Sequence, residues 1–370
     1  MLNRRMYFAL SIALLTNARC GIFATEPTSR SDGHLTRWFA KFPAADANHD
    51  GILTSAEAWQ YQGGLADRNR EAATRLRKKV EEAAIAGRAE PARVMPAKTD
   101  VRYGAHERNV LDFWPAKSDR PTPLVIFYHG GGFRAGDKRD IADKTLLEFL
   151  RSGISVAAVN YRYTSTAPLP AAYLDSGRAL QFLRSKASEW NLDTTRVAAY
   201  GASAGAGIAM WLGFHDDLAD PASPDAVSRR STRLSAIGSI AGQCTYDPHW
   251  IRANIGEAAY RHSVFVWAFG VKKQADLDAP NLQKDYDAMS PITHVGAGDP
   301  PVFQYYTEPD TPLPADAKAG QGIHHPLFGH RLKAAMAAAG LECVHRHVAD
   351  MTGDPQIEMA QFLQRKLLAR

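Results

Sequence analysis

Apolar runs of strand length alternate with helical stretches from about residue 101 onward. Segments with helical periodicity occur at 173–189, 208–214 and 328–339. The runs that are continuous enough for buried strands span residues 124–128, 155–160, 197–200, 234–240, 302–306 and 343–348. Because strands covered on both faces lose their polar alternation, the pattern predicts an α/β fold over residues 98–370, with a mostly parallel sheet flanked by helices.

The first 90 residues follow a different pattern. Arg4 and Arg5 precede an apolar run at 6–15, and small residues follow as far as Ala24. This is the layout of a secretory signal peptide over residues 1–24, so we expect export to a periplasm or beyond the cell. The run is too short to span a bilayer, and no later stretch predicts a transmembrane segment. Residues 34–90 predict a small helical unit with a charged connecting helix.

An acidic loop within that small unit fits the EF-hand pattern. Calcium is a hard cation that takes six to eight oxygen ligands, and the loop offers oxygens on alternating residues. Gly51 permits the sharp turn in the middle of the loop. The expected calcium ligands are the side chains of Asp46, Asn48, Asp50, Thr54 and Glu57 and the carbonyl of Ile52. No second loop is present, so we expect a structural ion held at extracellular calcium concentrations and not a cytosolic sensor.

Lysine and arginine outnumber aspartate and glutamate by only 44 to 39, a formal net charge of +5. No long basic run or nucleic-acid-binding motif accompanies this excess, so we expect no nucleic-acid partner. The three cysteines are too few for a disulfide framework. Loss of Cys20 with the signal peptide would leave Cys244 and Cys343, which could pair in an oxidising compartment or remain buried thiols.

Two glycine-containing motifs carry the candidate chemistry. Ser203 lies in the sequence Gly-Ala-Ser-Ala-Gly, directly between a predicted strand and a predicted helix. A sharp turn at that place lifts a serine hydroxyl above the sheet, where it can act as a nucleophile. Upstream, His129 and three glycines follow the strand at 124–128. Such a run frees backbone N–H groups to bind a developing oxyanion, and it lacks the lysine and hydroxyl residue of a phosphate-binding P-loop.

Together, the run at 129–133, the Asn-Tyr-Arg at 160–162 and the Ser203 turn resemble the α/β-hydrolase superfamily. The closest likeness is to hormone-sensitive-lipase-like and feruloyl-esterase-like carboxylesterases, and it covers residues 103–370. The resemblance implies an α/β-hydrolase fold, an acyl-enzyme on Ser203 and an oxyanion hole formed by Gly131, Gly132 and Ala204. It also implies a small-molecule ester substrate, which could be an acylated carbohydrate. The EF-hand lies outside the resemblance.

The acid and the histidine that the family order implies are harder to locate in the sequence. The family order implies an acid after the strand at 302–306, where Asp310 fits the spacing best and Glu308 comes second. It also implies a histidine after the last strand, but the loop at 349–355 contains none. The long acid loop ends at two adjacent histidines, so we predict that His324 or His325 supplies the general base, with His347 as the next candidate. The alternative is a catalytically impaired protein of the same fold that binds a ligand. The sequence does not indicate an oligomeric state.

Overall fold

A computed structural model describes residues 28–31, 35–36, 39–40, 43–54, 57, 61, 94–314 and 316–369. The chain divides into two units, residues 1–78 and 79–370. The predicted signal peptide over residues 1–24 lies outside the described residues. So does the part of the predicted connecting helix that falls between residues 62 and 90.

One eight-stranded sheet organises the larger unit. Its spatial order is β1-β2-β4-β3-β5-β6-β7-β8. β2 runs antiparallel to both β1 and β4, and every other neighbouring pair is parallel. The strands are β1 (Lys98–Arg102), β2 (Val110–Trp114), β3 (Thr122–Tyr128), β4 (Ser155–Val159), β5 (Leu192–Ala202), β6 (Ala236–Ile240), β7 (Val302–Tyr306) and β8 (Cys343–His347). The predicted mostly parallel sheet is confirmed.

Helices connect the strands and cover both faces of the sheet. In chain order they are α1 (Asp143–Arg151), α2 (Ala171–Ser185), α3 (Ala187–Trp190), α4 (Ala204–Phe214), α5 (Pro248–Asn254), α6 (Glu257–Tyr260), α7 (Val264–Ala268), α8 (Gln283–Met289), α9 (Ala319–Ile323), α10 (Leu327–Ala338) and α11 (Pro355–Leu368). Short 3₁₀ segments lie at Pro43–Ala45, Lys138–Asp140, Gln274–Asp278, Pro280–Leu282, Pro291–His294 and Val348–Asp350.

Two apolar cores lie on opposite faces of the sheet. One contains Phe149 of α1 and Phe362 of α11. The other contains Leu180 of α2, Met210 of α4 and Leu332 of α10. All eleven residues of α4 are buried. This helix begins directly after Ser203, so burial of its whole surface fixes the direction in which the turn leaves the sheet.

The structure contains an antiparallel pair that the apolar pattern did not predict. β1 is largely exposed, and β2 carries a buried aspartate, Asp112, between apolar neighbours. Lys138 is 4% exposed, and its ammonium lies 2.8 Å from Asp112 Oδ1 and 3.0 Å from Asp100. The buried pair therefore lets a charged residue occupy a buried position in the strand next to the edge of the sheet, and a search for apolar runs does not detect such a strand.

The two cysteines of the larger unit, Cys244 and Cys343, are free thiols. Burial raises the pKa of each to about 12, so both thiols stay protonated at neutral pH. Within the described ranges, none of the helices has both the length and the apolar composition needed to cross a membrane.

The smaller unit has a core of its own. Leu35, Ala45 and Leu53 are buried against one another, and Phe39 and Tyr61 pack on them. The 3₁₀ segment Pro43–Ala45 precedes the acidic loop, and the missing N–H of its proline is in keeping with so short an element. The residues that follow form the acidic loop itself.

We predict that Lys138→Met lowers the free energy of unfolding by about 3 kcal/mol, because it leaves Asp112 buried without its counter-ion. Denaturant unfolding measures the change. Lys144→Met is the matched control, since Lys144 pairs with Asp354 at the surface and both side chains are well exposed. That control should cost less than about 1 kcal/mol. Equal losses in the two variants would contradict the structural importance of the buried pair.

Candidate active site

Ser203 occupies a strained turn between β5 and α4. Its φ of 51° and ψ of −117° lie outside the regions that a serine usually adopts. The flanking glycines make the turn possible by close packing. A Cβ on Gly205 would lie 2.0 Å from the carbonyl oxygen of Tyr128, and one on Gly201 would lie 2.4 Å from the backbone of Gly205. Side chains are therefore excluded at both positions, and the Ser203 side chain remains partly exposed above the sheet.

The glycine run after β3 lies against this turn. A Cβ on Gly130 would come within 2.9 Å of the Ala202 carbonyl oxygen and 3.7 Å of the Ser203 Cβ. Gly131 and Gly132 have φ values of 102° and 59°. Their N–H groups donate to no acceptor in the described part of the chain, and the N–H of Ala204 lies in the first turn of α4, which leaves it without a partner in the helix. These three residues are the ones that the sequence predicted as oxyanion donors.

A buried histidine holds the glycine run in shape. His129 Nε2 lies 3.2 Å from Arg108 Nη2, and a guanidinium can only donate, so Nε2 accepts and the ring proton sits on Nδ1. Nδ1 donates to the Gly130 carbonyl at 2.7 Å. Burial lowers the pKa of His129 to about 4, so the ring stays neutral. Tyr161 stacks on it and donates its hydroxyl proton to the His129 carbonyl.

His324 is the histidine that reaches the serine. Its Nε2 lies 2.9 Å from Ser203 Oγ, and its Nδ1 lies 3.2 Å from the carbonyl oxygen of Gly320. A carbonyl oxygen can only accept, so Nδ1 carries the proton and Nε2 is free to accept the serine proton. Burial lowers the pKa of His324 below its usual value, and the Gly320 bond and the negative charge of Glu308 oppose this effect in part. The orientation is the one that a general base requires.

The other residues predicted as the catalytic acid or base make different contacts. The structure does not bring Asp310 to His324: its Oδ2 lies 2.6 Å from Nε2 of His330 on α10. Burial would raise the pKa of Asp310, but the bond to His330 and the charge of that ring hold it below its usual value. His325 is buried and bonds to the Thr311 carbonyl. His347, at the end of β8, donates to the carbonyl of Glu308.

Sequence reasoning missed the wall formed by α6 and α7. Ala259 packs against Gly322 of α9, where an added Cβ would lie 2.6 Å from the Ala259 Cβ. Val264 and Trp267 lie within 4 Å of the corresponding position at Gly132. His262 lies between Ala259 and Val264 in the chain. Burial lowers the pKa of His262, and the charge of His324 lowers it further. Helices of four and five residues carry too little periodicity to have indicated this segment.

The acidic loop has the internal hydrogen bonds of a preformed turn. Asp46 Oδ2 accepts from the N–H of Gly51 at 2.9 Å, and Asp50 Oδ1 accepts from the N–H of Ile52 at 2.8 Å. Asn48 Oδ1 accepts from the N–H of Asp50 at 2.9 Å. The other oxygen of Asp46, Oδ1, is buried and has no hydrogen-bond partner among the described residues. A buried carboxylate oxygen without a partner is costly unless a cation binds it, so this position fits a calcium ligand.

The last predicted ligand, Glu57, is hydrogen-bonded to Thr54. Both the N–H and the hydroxyl of Thr54 donate to Glu57 Oε2, at 3.0 and 2.8 Å, and these bonds lower the pKa of Glu57. Consistent with this, the described residues contain no group of three or more His, Cys, Asp or Glu side chains arranged to hold a metal ion.

A short segment at residues 28–29 pairs with the end of the acidic loop. Thr28 forms an antiparallel bridge with Thr54. The N–H of Ser29 donates to the carbonyl of Leu53 at 2.7 Å, and the N–H of Leu53 donates to the Ser29 hydroxyl at 2.9 Å. The lone loop therefore has a partner from the same chain.

Comparisons with known proteins agree with this architecture. The chain is 28% identical over 225 residues to the "Probable carboxylic ester hydrolase LipM" of Mycobacterium tuberculosis, covering 60% of this chain and 50% of LipM. It is 28% identical over 233 residues to the esterase LipQ of the same organism, covering 61% and 52%. The chain thus spans about half the length of these curated relatives.

The fold is also that of solved esterase structures. The acetyl ester-xyloside bifunctional hydrolase of Caldicellulosiruptor lactoaceticus aligns over 74% of this chain and 96% of its own, with a TM-score of 0.56 and 19% identity. The predicted α/β-hydrolase fold is confirmed by this likeness together with the sheet order. Residues 111–319, which contain the glycine run, Ser203 and the wall of α6 and α7, match the family described as BD-FAE. The chain belongs to the BD-FAE family.

Proposed function

We propose that this protein is a serine carboxylesterase in which Ser203 is the nucleophile and His324 the general base. The observation that carries the proposal is the 2.9 Å contact between Ser203 Oγ and His324 Nε2, with the ring held in the accepting tautomer by Gly320. The relatives LipM and LipQ are named as ester hydrolases, which supports the same reaction class.

The reaction follows from these positions. Ser203 Oγ attacks the ester carbonyl carbon while its proton passes to His324 Nε2. The N–H groups of Gly131, Gly132 and Ala204 bind the oxygen that becomes negative. The imidazolium then gives its proton to the alcohol oxygen as the C–O bond breaks, which leaves an acyl group on Ser203. Water attacks the acyl-enzyme with His324 again taking the proton, and the carboxylic acid leaves.

Glu308 is the carboxylate that we propose to assist His324. Its charge raises the pKa of His324, whereas Asp310 is engaged with His330. Its position is held by His347, which donates to the backbone carbonyl of Glu308 at 2.8 Å. Glu308 thus takes the role for which the spacing in the sequence favoured Asp310.

An acylated carbohydrate is the substrate class that we propose. The similar structure from Caldicellulosiruptor is titled an acetyl ester-xyloside hydrolase. In this chain, the guanidinium of Arg134 lies over the ring of Trp267 at 4.6 Å, beside the glycine run. The guanidinium covers one face of the ring, so the pair presents N–H donors beside the remaining aromatic surface, a combination that suits the mixed apolar and hydroxyl surface of a sugar ring. The predicted signal peptide suggests that the enzyme meets this substrate outside the cytoplasm.

We predict that Ser203→Ala abolishes hydrolysis of short acyl esters and that His324→Ala slows it by at least about a hundredfold, because proton transfer contributes at least that much. His325→Ala and His347→Ala should each cost less than about tenfold, since neither ring contacts Ser203. In the wild type, kcat/KM should rise with pH through a pKa below the ordinary 6.5 of histidine and then level off, because His324 acts only when neutral.

Steady-state kinetics of the four variants, with thermal unfolding as the check on folding, decide the assignment. Full activity in Ser203→Ala would overturn the serine mechanism. A larger loss of activity in His325→Ala or His347→Ala than in His324→Ala would reassign the role of general base to that histidine. Inertness of the wild type toward a broad panel of esters would favour the alternative, a ligand-binding protein of this fold.

The loop from Asp46 to Glu57 is proposed to bind one calcium ion that stabilises the smaller unit. The partnerless Asp46 Oδ1 supports this proposal, as do the hydrogen bonds that shape the turn around Gly51. Asp46, Asn48, Asp50, the Ile52 carbonyl, Thr54 and Glu57 would hold the ion. It would supply positive charge to a cluster of carboxylates and would take no part in ester hydrolysis.

Calcium at millimolar concentration should raise the melting temperature of the wild type, because a ligand that binds only the folded state stabilises it by mass action. Glu57→Gln should lose the rise, whereas Glu107→Gln, at an exposed position of the larger unit, should keep it. Magnesium should not reproduce the effect, since it demands a smaller octahedral site. The absence of any calcium-dependent shift in the wild type would show that the loop binds no ion.

A further inference from the structure

The segment that follows β6 touches both members of the proposed Ser203–His324 pair. The Ile240 carbonyl accepts the N–H of Ser203 at 2.8 Å. The next residue, Ala241, adopts a φ of 49°, and its own N–H donates to the carbonyl of Tyr305 in β7 at 2.9 Å. A left-handed alanine is unfavourable by itself, so the surrounding hydrogen bonds must hold it there.

Gln243 extends this segment to the histidine. The residue is 2% exposed. Its Nε2 donates to the Ile323 carbonyl at 2.7 Å and to the Ala241 carbonyl at 3.2 Å. Both protons of the amide are therefore used, one on the residue directly before His324 and the other on the strained residue next to Ile240. A single buried side chain links the backbone that holds Ser203 to the backbone that carries His324.

His324 needs such a link because the helix that it caps is short. It caps α9, a helix of only five residues, and its Nδ1 bonds to a carbonyl of that same helix. The orienting bond therefore moves with the histidine and does not tie the ring to the rest of the protein. Outside α9, the contacts that hold its backbone include Gln243 and the packing of Gly322 on Ala259.

We propose that Gln243 is a positioning residue that sets the distance between His324 Nε2 and Ser203 Oγ. The inference rests on the proposed function, because it assigns Gln243 a role only if Ser203 and His324 react together. Loss of the amide would leave the Ile323 carbonyl buried without its donor and would free α9 to shift. A displacement of about 1 Å at a reacting group can cost a hundredfold in rate.

The test is Gln243→Leu, which preserves the approximate volume and removes both donors. We expect kcat to fall between about tenfold and a hundredfold while KM changes less than about threefold. The pKa that governs kcat/KM at low pH should rise toward the ordinary histidine value, because a released His324 ring is less buried. A merely structural role would not move that pKa.

Gln181→Leu is the matched control. Gln181 is also buried, and its Nε2 donates to the carbonyls of Leu218, Ser228 and Arg230, away from the site. It should lower the melting temperature about as much and leave kcat and the pH profile unchanged. Should Gln243→Leu fail to fold, Gln243→Asn keeps the amide but is one methylene shorter, and it should show the same loss of kcat and shift of pKa to a smaller extent.

The outcomes separate the two proposals. If activity depends on Ser203 but the Gln243 variants keep their kcat and pH profile, the positioning role is wrong and the serine mechanism stands. If Gln243→Leu and Gln181→Leu slow the reaction equally, Gln243 acts only through stability. If Ser203→Ala is fully active, both proposals fall together.

Discussion

The contact between the backbone of Gly205 and the carbonyl oxygen of Tyr128 is the constraint on which the site depends. β3 and β5 are parallel neighbours, with Tyr128 opposite Gly201, so the glycine run and the Ser203 turn leave the sheet side by side. No side chain could be placed between them, because a Cβ on Gly205 would lie 2.0 Å from the Tyr128 oxygen. The wholly buried α4 then directs the chain away from Ser203 and leaves its hydroxyl accessible. The placement of Ser203 against the glycine run is thus a property of the sheet and not of flexible loops.

The histidine is supplied differently, by the long connection after β7 and not by the end of β8. Within the described residues, β8 ends at His347, and the ring of this histidine donates a hydrogen bond to the Glu308 carbonyl. His324 instead approaches from α9, which packs on α6 through Gly322 and Ala259. The connection between β6 and β7, which contains α6 and α7, therefore has two structural roles. It forms one wall of the site through Val264 and Trp267, and it supports α9, which carries His324, the proposed general base.

The sequence predicted the parts of the fold that depend on local pattern. β3 to β8 follow from continuous apolar runs, and the Ser203 turn and glycine run follow from motifs whose backbone requirements glycine alone meets. It did not predict β1 and β2, because Asp112 interrupts the apolar signal and is accommodated by the N–H of Asp100 and by Lys138, which lies far along the chain. The absence of a histidine from the usual loop directed attention to His324 and His325, and the structure places His324 beside Ser203. The choice between Asp310 and Glu308 could not be predicted, since they are two residues apart in one turn, and contacts from distant elements decide it: His330 binds the Asp310 side chain and His347 binds the Glu308 backbone carbonyl.

In the proposed mechanism, the way His324 is held changes which groups stabilise the charges of the transition state. In a Ser-His-Asp triad the carboxylate stabilises the imidazolium that forms during attack. Here Nδ1 bonds to a neutral carbonyl, and burial disfavours the charged ring, so the imidazolium gains less support at that nitrogen. More of the transition-state stabilisation must then come from the donors that face the oxyanion. The glycine run suits that role: Arg108, the neutral and buried His129 and the buried Tyr161 hold it through hydrogen bonds and stacking. Because donors held rigid before the reaction need no reorganisation as charge develops, a rigid oxyanion loop can compensate for a base without a directly bonded carboxylate.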